Sequence, residues 1–403
     1  MREINKSFMK TSVVAIEKIE KINYDKINVE QMVRKAIDNL GGISKFVRPG
    51  QSVFIKPNVA FPNSAVNGVT VEPKIVGELI ELSKEAGASK IWVGESSANG
   101  IDTKEAFKKV GISEIIQRAG GEEIYLDDVP LVSVSIPNGK ALRSIKIPKL
   151  LVDANVIVNV AKAKTHYIDA ITCCVKNWVG IIPQKYRLSF HQNRLSQVVA
   201  ELIKKIPPKL NLVDALIVGE GEGPTFVDPR FMGVIIAGND PVATDAVVGN
   251  LMGFNVNELE FAWAAFMEGV GEIDLNRIRI LGPPLDEIRI HVRRPLPVIY
   301  NRFPCNIILG GACPGCLTWF VGTIAGRLKE KWDKILTTTG KPTFMIGYNA
   351  EDPYFEEHLK EGKYFVIGDC SPERYKRNKQ VIFISGCCPG PQIPSTILKE
   401  LGG

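Results

Sequence analysis

The chain has 403 residues, 45% hydrophobic and 23% charged, with 50 Lys and Arg against 44 Asp and Glu for a formal net charge of +6. That length is long for one hydrophobic core, so two domains are expected. The basic residues are dispersed, which argues against a nucleic-acid footprint and suits recruitment of a small anion.

The start, MREINKSFMKTSVVAIEKIEK, is charged throughout and has no apolar core of the kind a secretory signal needs. No later run is apolar over the ~18 residues that a membrane span requires. From SVVAIEK onward, short β-branched runs alternate with helical patterns. SVFIKPNV, KIWVGES and EEIYLDD read as strands, separated by VEQMVRKAIDNLG, PKIVGELIELSKEAG and TKEAFKKVGISEIIQRAGG. This repetition predicts an α/β fold with a mainly parallel sheet and helices on its flanks. LVSVSIPNGKALRSIKIP alternates around Asn-Gly and predicts an inserted hairpin. LLVDANVIVNVAKAKTH predicts a buried strand, RLSQVVAELIKKI an amphipathic helix, NLVDALIVGEGEGP a strand, and FMGVIIAGNDPVATDAVVGNLMG a strand-to-helix unit. At HVRRPLPVIYNRFP the texture turns to Pro and Arg, which places a linker over 291–304 between a domain at 1–290 and one at 305–403. The second domain is a smaller α/β unit carrying most of the cysteines.

In an open parallel sheet, ligands sit at the carboxyl ends of the strands. In the C-terminal unit Cys313 and Cys316 follow NIILGG, Cys370 follows YFVIGD, and Cys387 and Cys388 follow VIFISG. Three strands thus present sulfur on one edge, and Cys313 and Cys316 also open a helix, whose N-terminus favours thiolate. Eight cysteines are too few for a disulfide scaffold, and their pairing as CPGC and CC indicates metal or redox chemistry in a reducing, cytoplasmic compartment. Converging thiolates on rigid Gly- and Pro-rich loops are what an iron–sulfur cluster requires. A structural Cys₄ zinc, thiol–disulfide exchange through CPGC, and inert buried cysteine are the other readings. Cys305 lies at the opposite end of its strand and reads as structural, and Cys173 and Cys174 read as core filler.

The order CPGC, GDC, GCCPGP over about 305–395 resembles the proximal-cluster module of nickel–iron hydrogenase small subunits and the related complex I subunit. The resemblance implies a [4Fe–4S] cluster held by Cys313, Cys316, Cys370 and Cys388. The doublet leaves Cys387 available too, and Cys388 is chosen because it directly precedes Pro389.

The segment AKAKTHYIDAITCCVKNWVGIIPQKYRLSFHQ is dense in potential ligand contacts. Lys162, Lys164 and Thr165, followed by Lys176, Asn177 and Arg187, read as a loop that receives carboxylate or phosphate, with a solvated basic loop as the alternative; the interleaved Ala163, Trp178, Gly180 and Pro183 favour a pocket wall. Lys56 and Asn58, at the tip of an earlier strand, either place an ammonium and an amide over the crevice or simply make a turn. His166 and His191 are candidate proton donors. Asp240 before Pro241 reads as an N-cap, and Asp245 one turn later faces a ligand or solvent. GEGEGP is too acidic for a phosphate loop, and Walker, GxGxxG, GxSxG and HExxH signatures are absent. The segment around 50–255 resembles the family labelled domain of unknown function 362, through Lys56-Pro57-Asn58, Lys164-Thr165-His166, Lys176-Asn177, Gly180, Arg187, His191, Asp240-Pro241 and Asp245. That resemblance implies a shared fold and an association with iron–sulfur chemistry, and supplies no reaction.

The expectation is therefore an iron–sulfur redox protein that passes electrons to, or reduces, a small anionic substrate. Its alternatives are a non-catalytic electron carrier docking a redox partner protein, and a zinc-stabilised ligand-binding protein.

Overall fold

The computed structural model describes residues 11–19, 24–166, 169–191, 195–295, 303–312, 314–328 and 330–402. Its strands, in chain order, are β1 (Val13–Lys18), β2 (Ser52–Pro57), β3 (Lys90–Glu95), β4 (Glu122–Tyr125), β5 (Leu131–Ser135), β6 (Ser144–Pro148), β7 (Val156–His166), β8 (Ala170–Thr172), β9 (Leu210–Glu222), β10 (Phe226–Gly238), β11 (Arg279–Leu281), β12 (Asn306–Leu309), β13 (Thr343–Ile346), β14 (Tyr364–Ile367) and β15 (Val381–Ile384).

The large sheet runs β11-β1-β10-β9-β7-β2-β3-β4, with β8 paired to β7 at one end. From β9 to β4 every neighbouring pair is parallel. β10 is antiparallel to both β9 and β1, so the mainly parallel sheet carries an antiparallel seam. β7 lies inside the sheet, with helices against both faces, and all of its residues are buried. That is the reason for its nearly continuous apolar run over Val156–Ala161, interrupted by Asn159. Two cores flank the sheet: one contains Val53, Ile55 and Val158, and the other Phe54, Ile157 and Trp178.

β5 and β6 form the separate hairpin expected around Asn-Gly. Asn138 takes the positive φ of 65° that such a turn needs, but the connection runs from 136 to 143 and is no two-residue turn. NLVDALIVGEGEGP was expected as a strand, and β9 runs through it to Glu222; it then turns into the antiparallel β10, giving a long hairpin that was not expected.

The smaller sheet is β12-β13-β14-β15, parallel throughout. Its core includes Phe320, Phe344, Phe365 and Ile393. The helix that opens at the CPGC turn spans Pro314–Val321, passes into a π-helical turn at Gly322–Arg327, and is followed by a separate helix at Trp332–Thr339. The two sheets are in contact: a Cβ built on Gly322 or Gly326 would lie 2.1 or 2.3 Å from the ring of Phe226, at the start of β10. Phe226 therefore packs against the helix backbone of the smaller domain at Gly322 and Gly326. Of the segment expected as a linker, 296–302 lies outside the described residues, while Arg293 and Arg294 pair with Asp228 and Glu258 of the large domain.

Candidate functional site

A cavity of about 150 Å³ lies where the two sheets meet. Lys56, Asn58, Glu95, Lys164, His166, Thr172, Lys176, Asn177 and Arg187 line it from the large domain, and Gly315, Trp319 and Cys388 from the small one. β2, β3 and β7 are adjacent and parallel, so their carboxyl ends deliver Lys56, Glu95 and Lys164 to one place.

The floor is a closed polar network. Lys56 Nζ donates to Glu95 Oε2 at 2.6 Å, to Asn177 Oδ1 at 2.7 Å and to the Pro57 carbonyl at 3.2 Å, which uses all three of its donors. Asn177 Nδ2 donates to Asn159 Oδ1 at 2.8 Å, tying the site to the middle of β7. Glu95 also accepts from the backbone N–H of Val59 and of Ser96. Burial moves both members of the pair toward neutrality, raising Glu95 and lowering Lys56 to about 8, while their mutual attraction opposes the change. Gly180 permits this approach, because a Cβ there would sit 2.0 Å from Glu95 Oε1.

The Lys-Thr-His segment was expected on a loop, but it forms the buried end of β7. Lys162 is not brought to the cavity: it pairs with Asp214 of β9 at 2.9 Å, both fully buried. The pairing of β7 with β9 slips between Lys162 and Lys164, and Lys164 reaches the Val69 carbonyl at 2.6 Å instead of a carboxylate. Burial, reinforced by the charge of Lys162, lowers Lys164 to about 7. Thr165 also stays out of the cavity, donating to the Gly221 carbonyl.

His166 does line the cavity, with Nδ1 3.1 Å from Asp169 Oδ2. The same carboxylate pairs with Lys176, whose ammonium also lies over the Phe261 ring. Arg187 lines the cavity as expected, yet its guanidinium is spent on the carbonyls of Ser96, Ser97 and Ile182 and on Ser96 Oγ. It braces the strand tips and is not an open anion clamp. The side chain of His191 lies outside the described residues. Thr172 and Trp319 were not anticipated. Trp319 had a signal in the sequence, because it stands three residues after Cys316, on the same helix face.

At the tips of the smaller sheet, Cys316 is buried in the first turn of helix Pro314–Val321, and Cys370 follows β14. A Cβ built on Gly368 would lie 3.6 Å from the sulfur of each, so these two thiols from separate strands face one point. The loop carrying Cys387 and Cys388 is tied to the Cys370 loop by two bonds, Asp369 N to Gly386 O and Gly386 N to Asp369 Oδ1. Cys388, from that loop, reaches the cavity wall. Cys313 lies outside the described residues. Cys305 is buried at the far end of β12, where burial pushes its thiol up to about 12.

A second donor group exists in the large domain. Cys173, Cys174 and Asp245 are buried with potential ligand atoms all within 4.8 Å, an arrangement compatible with a metal ion. Cys173 and Cys174 are core residues, as expected, and Asp245, read as facing a ligand or solvent, is buried beside them, away from solvent and from the cavity. Its two oxygens accept from the N–H of Cys174 and of Val175, at 2.7 and 3.0 Å, capping the helix Cys174–Asn177. Burial raises Asp245 to about 6 and Cys174 to about 11. Asp240 is the N-cap expected of it, accepting from Val242 and Ala243.

These features define a class: a two-sheet α/β protein with a buried, lysine-rich cavity closed on one side by cysteine-bearing loops. Within it, residues 53–249 match the family described as "Domain of unknown function (DUF362)". The chain is 27% identical over 250 residues to "Thylakoid-associated protein sll1697" of Synechocystis sp. (strain ATCC 27184 / PCC 6803 / Kazusa), covering 60% of this chain and 75% of that one. Among solved structures, the lactate racemase apoprotein from Thermoanaerobacterium thermosaccharolyticum superposes with a TM-score of 0.41 and 12% identity, covering 93% of this chain and 87% of that one. Among the described residues, no helix is long and apolar enough to cross a membrane.

Proposed function

We propose that this is an iron–sulfur redox protein in which a domain at 305–403 holds a [4Fe–4S] cluster and a domain at 1–290, joined through 291–304, binds a small anion. The observation that carries this reading is the shared wall: Cys388 and Gly315 line the same cavity as Lys164 and His166. The donor chemistry fits, since all four assigned ligands (Cys313, Cys316, Cys370 and Cys388) are thiols, and the sulfurs of Cys316 and Cys370 face one point. The hydrogenase-like order of CPGC, GDC and GCCPGP supports the same assignment. Bound there, the cluster supplies or accepts single electrons at the cavity edge.

The remaining roles belong to the chain's own side chains. Lys164 in its ammonium form attracts the anion. His166, held by Asp169, is placed to deliver a proton as the substrate is reduced. The Lys56–Glu95–Asn177 network fixes the floor and keeps it from collapsing. The wall of Trp319 and Phe61 limits the water that can enter.

The test is to reduce the anaerobically isolated protein with dithionite and follow its absorbance near ~400 nm while small anionic oxidants are added. Re-oxidation is expected in the wild type and is expected to be lost in Lys164→Met and slowed in His166→Gln, with the starting spectrum intact in both. Re-oxidation at the wild-type rate in both variants would remove the cavity from the reaction and favour a carrier that meets its partner elsewhere.

A further inference from the structure

We propose that the cavity takes a small monoanion bearing its own hydrogen-bond donor, in the size range of a short hydroxy- or amino-carboxylate. This rests on the reading of the cavity as an anion site and is independent of the cluster. Among the described residues around the cavity, every buried cation but one already has a carboxylate. Lys56 has Glu95, Lys162 has Asp214 and Lys176 has Asp169. Arg187 reaches Asp127 through Ser96, whose hydroxyl accepts from the guanidinium and donates to Asp127 Oδ2 at 2.7 Å. Lys164 has only the Val69 carbonyl. A buried ammonium with no carboxylate in contact is costly, and one anionic group would relieve it. A second negative charge would meet the carboxylates of Glu95 and Asp169.

The donor requirement comes from a different atom. Asn58 is 5% exposed and lines the cavity; its Nδ2 is committed to Asn177 Oδ1, but its own Oδ1 is buried without a hydrogen-bond partner. An orphaned buried acceptor calls for a hydroxyl or amine from the ligand. Thr172 also lines the cavity, and its buried, unpartnered Oγ1 is a second group that the ligand can satisfy. The volume of about 150 Å³ matches a cavity that holds a benzene-sized molecule, so the ligand has only a few heavy atoms. Sugar phosphates and nucleotides are too large to be enclosed by it.

Isothermal titration calorimetry with glycolate, acetate and malonate tests this, on air-purified full-length protein and on Cys370→Ser. Glycolate is expected to bind about tenfold or more tighter than acetate, because acetate leaves Asn58 Oδ1 unpaired. Malonate is expected to bind more weakly than glycolate. Lys164→Met is expected to abolish glycolate binding, and Asn58→Leu to bring glycolate down to the acetate level. Should Asn58→Leu not fold, Thr172→Val serves, and is expected to weaken glycolate and acetate alike by about fivefold. Equal binding of glycolate and acetate, preference for malonate, or no binding of any of the three overturns the proposal. Glycolate binding by protein that never contains iron upholds it while removing the redox reading; iron-loaded protein that binds none of the three does the reverse.

Discussion

Lys56 and Glu95 form a buried ion pair, 2.6 Å from Nζ to Oε2, across the tips of two adjacent parallel strands, and the missing side chain of Gly180 leaves room for it. A Cβ at 180 would fall 2.0 Å from Glu95 Oε1 and 2.7 Å from Lys56 Nζ, so one methyl group must separate the charges or move the backbone. Gly180→Ala is expected to cost about 1–3 kcal/mol in urea denaturation. Glu95→Gln, which leaves the Lys56 charge buried and alone, is expected to cost about 3–5 kcal/mol at pH 7. Wild-type stability in either variant would show that the pair is not packed as described.

The depressed Lys164 has a signature in pH. Its folded value of about 7 lies below the ~10.4 of an unfolded chain, so between these values the unfolded state holds a proton that the folded state has released. Stability therefore gains from this group as pH rises from about 7 toward 10, and loses that gain as pH falls. Denaturation at pH 7 and pH 9 is expected to show a rise in the wild type that is smaller by about 1–2 kcal/mol in Lys164→Met. Anion affinity runs in the opposite sense and falls above pH 7, because the ammonium is the form that binds. The same stability rise in the variant would remove Lys164 as its source.

Docking of the two sheets depends on Phe226 lying against the backbone at Gly322 and Gly326. Gly326→Ala places a methyl group 2.3 Å from the Phe226 ring and is expected to lever the contact apart. Small-angle scattering is then expected to give a larger radius of gyration, with both sheets still folded by circular dichroism, and glycolate binding lost with the cavity. An unchanged radius and unchanged binding would contradict this geometry.

Asp245 is a cap as much as a potential ligand. Asp245→Ala leaves the N–H groups of Cys174 and Val175 buried without partners and is expected to cost about 2–4 kcal/mol by chemical denaturation. In native wild type at pH 8, Cys173 and Cys174 are expected to resist iodoacetamide, since both are buried and the Cys174 thiol is pushed up to about 11. Rapid labelling of either under native conditions would contradict the packing of this segment.

The sequence disclosed the parts of this molecule that follow from local pattern. β2, β3 and β7 were legible as β-branched runs, and strand tips bearing Lys56, Asn58 and Lys164 follow once the sheet is parallel. The thiol-tipped strands of the smaller sheet were legible for the same reason. The hidden parts depend on partners distant in sequence. Lys162 and Lys164 look equivalent two residues apart, and only Asp214 on β9 separates an internal ion pair from an open ammonium. The polar Lys-Thr-His segment resembled a loop because nothing nearby showed that β8 and β9 would bury it. Arg187 promised an anion clamp until the carbonyls of Ser96 and Ser97 were found to occupy it. The β9–β10 hairpin was missed because alternation runs through GEGEGP without a break.

The central claim, that thiols from the tips of the smaller sheet hold an iron–sulfur cluster beside the cavity, is tested most directly by isolating the protein without oxygen and measuring iron, inorganic sulfide and zinc. The account predicts a brown protein with about four iron and four sulfide per chain, both lost in Cys370→Ser. A colourless protein with stoichiometric zinc, or with no metal at all, would contradict it.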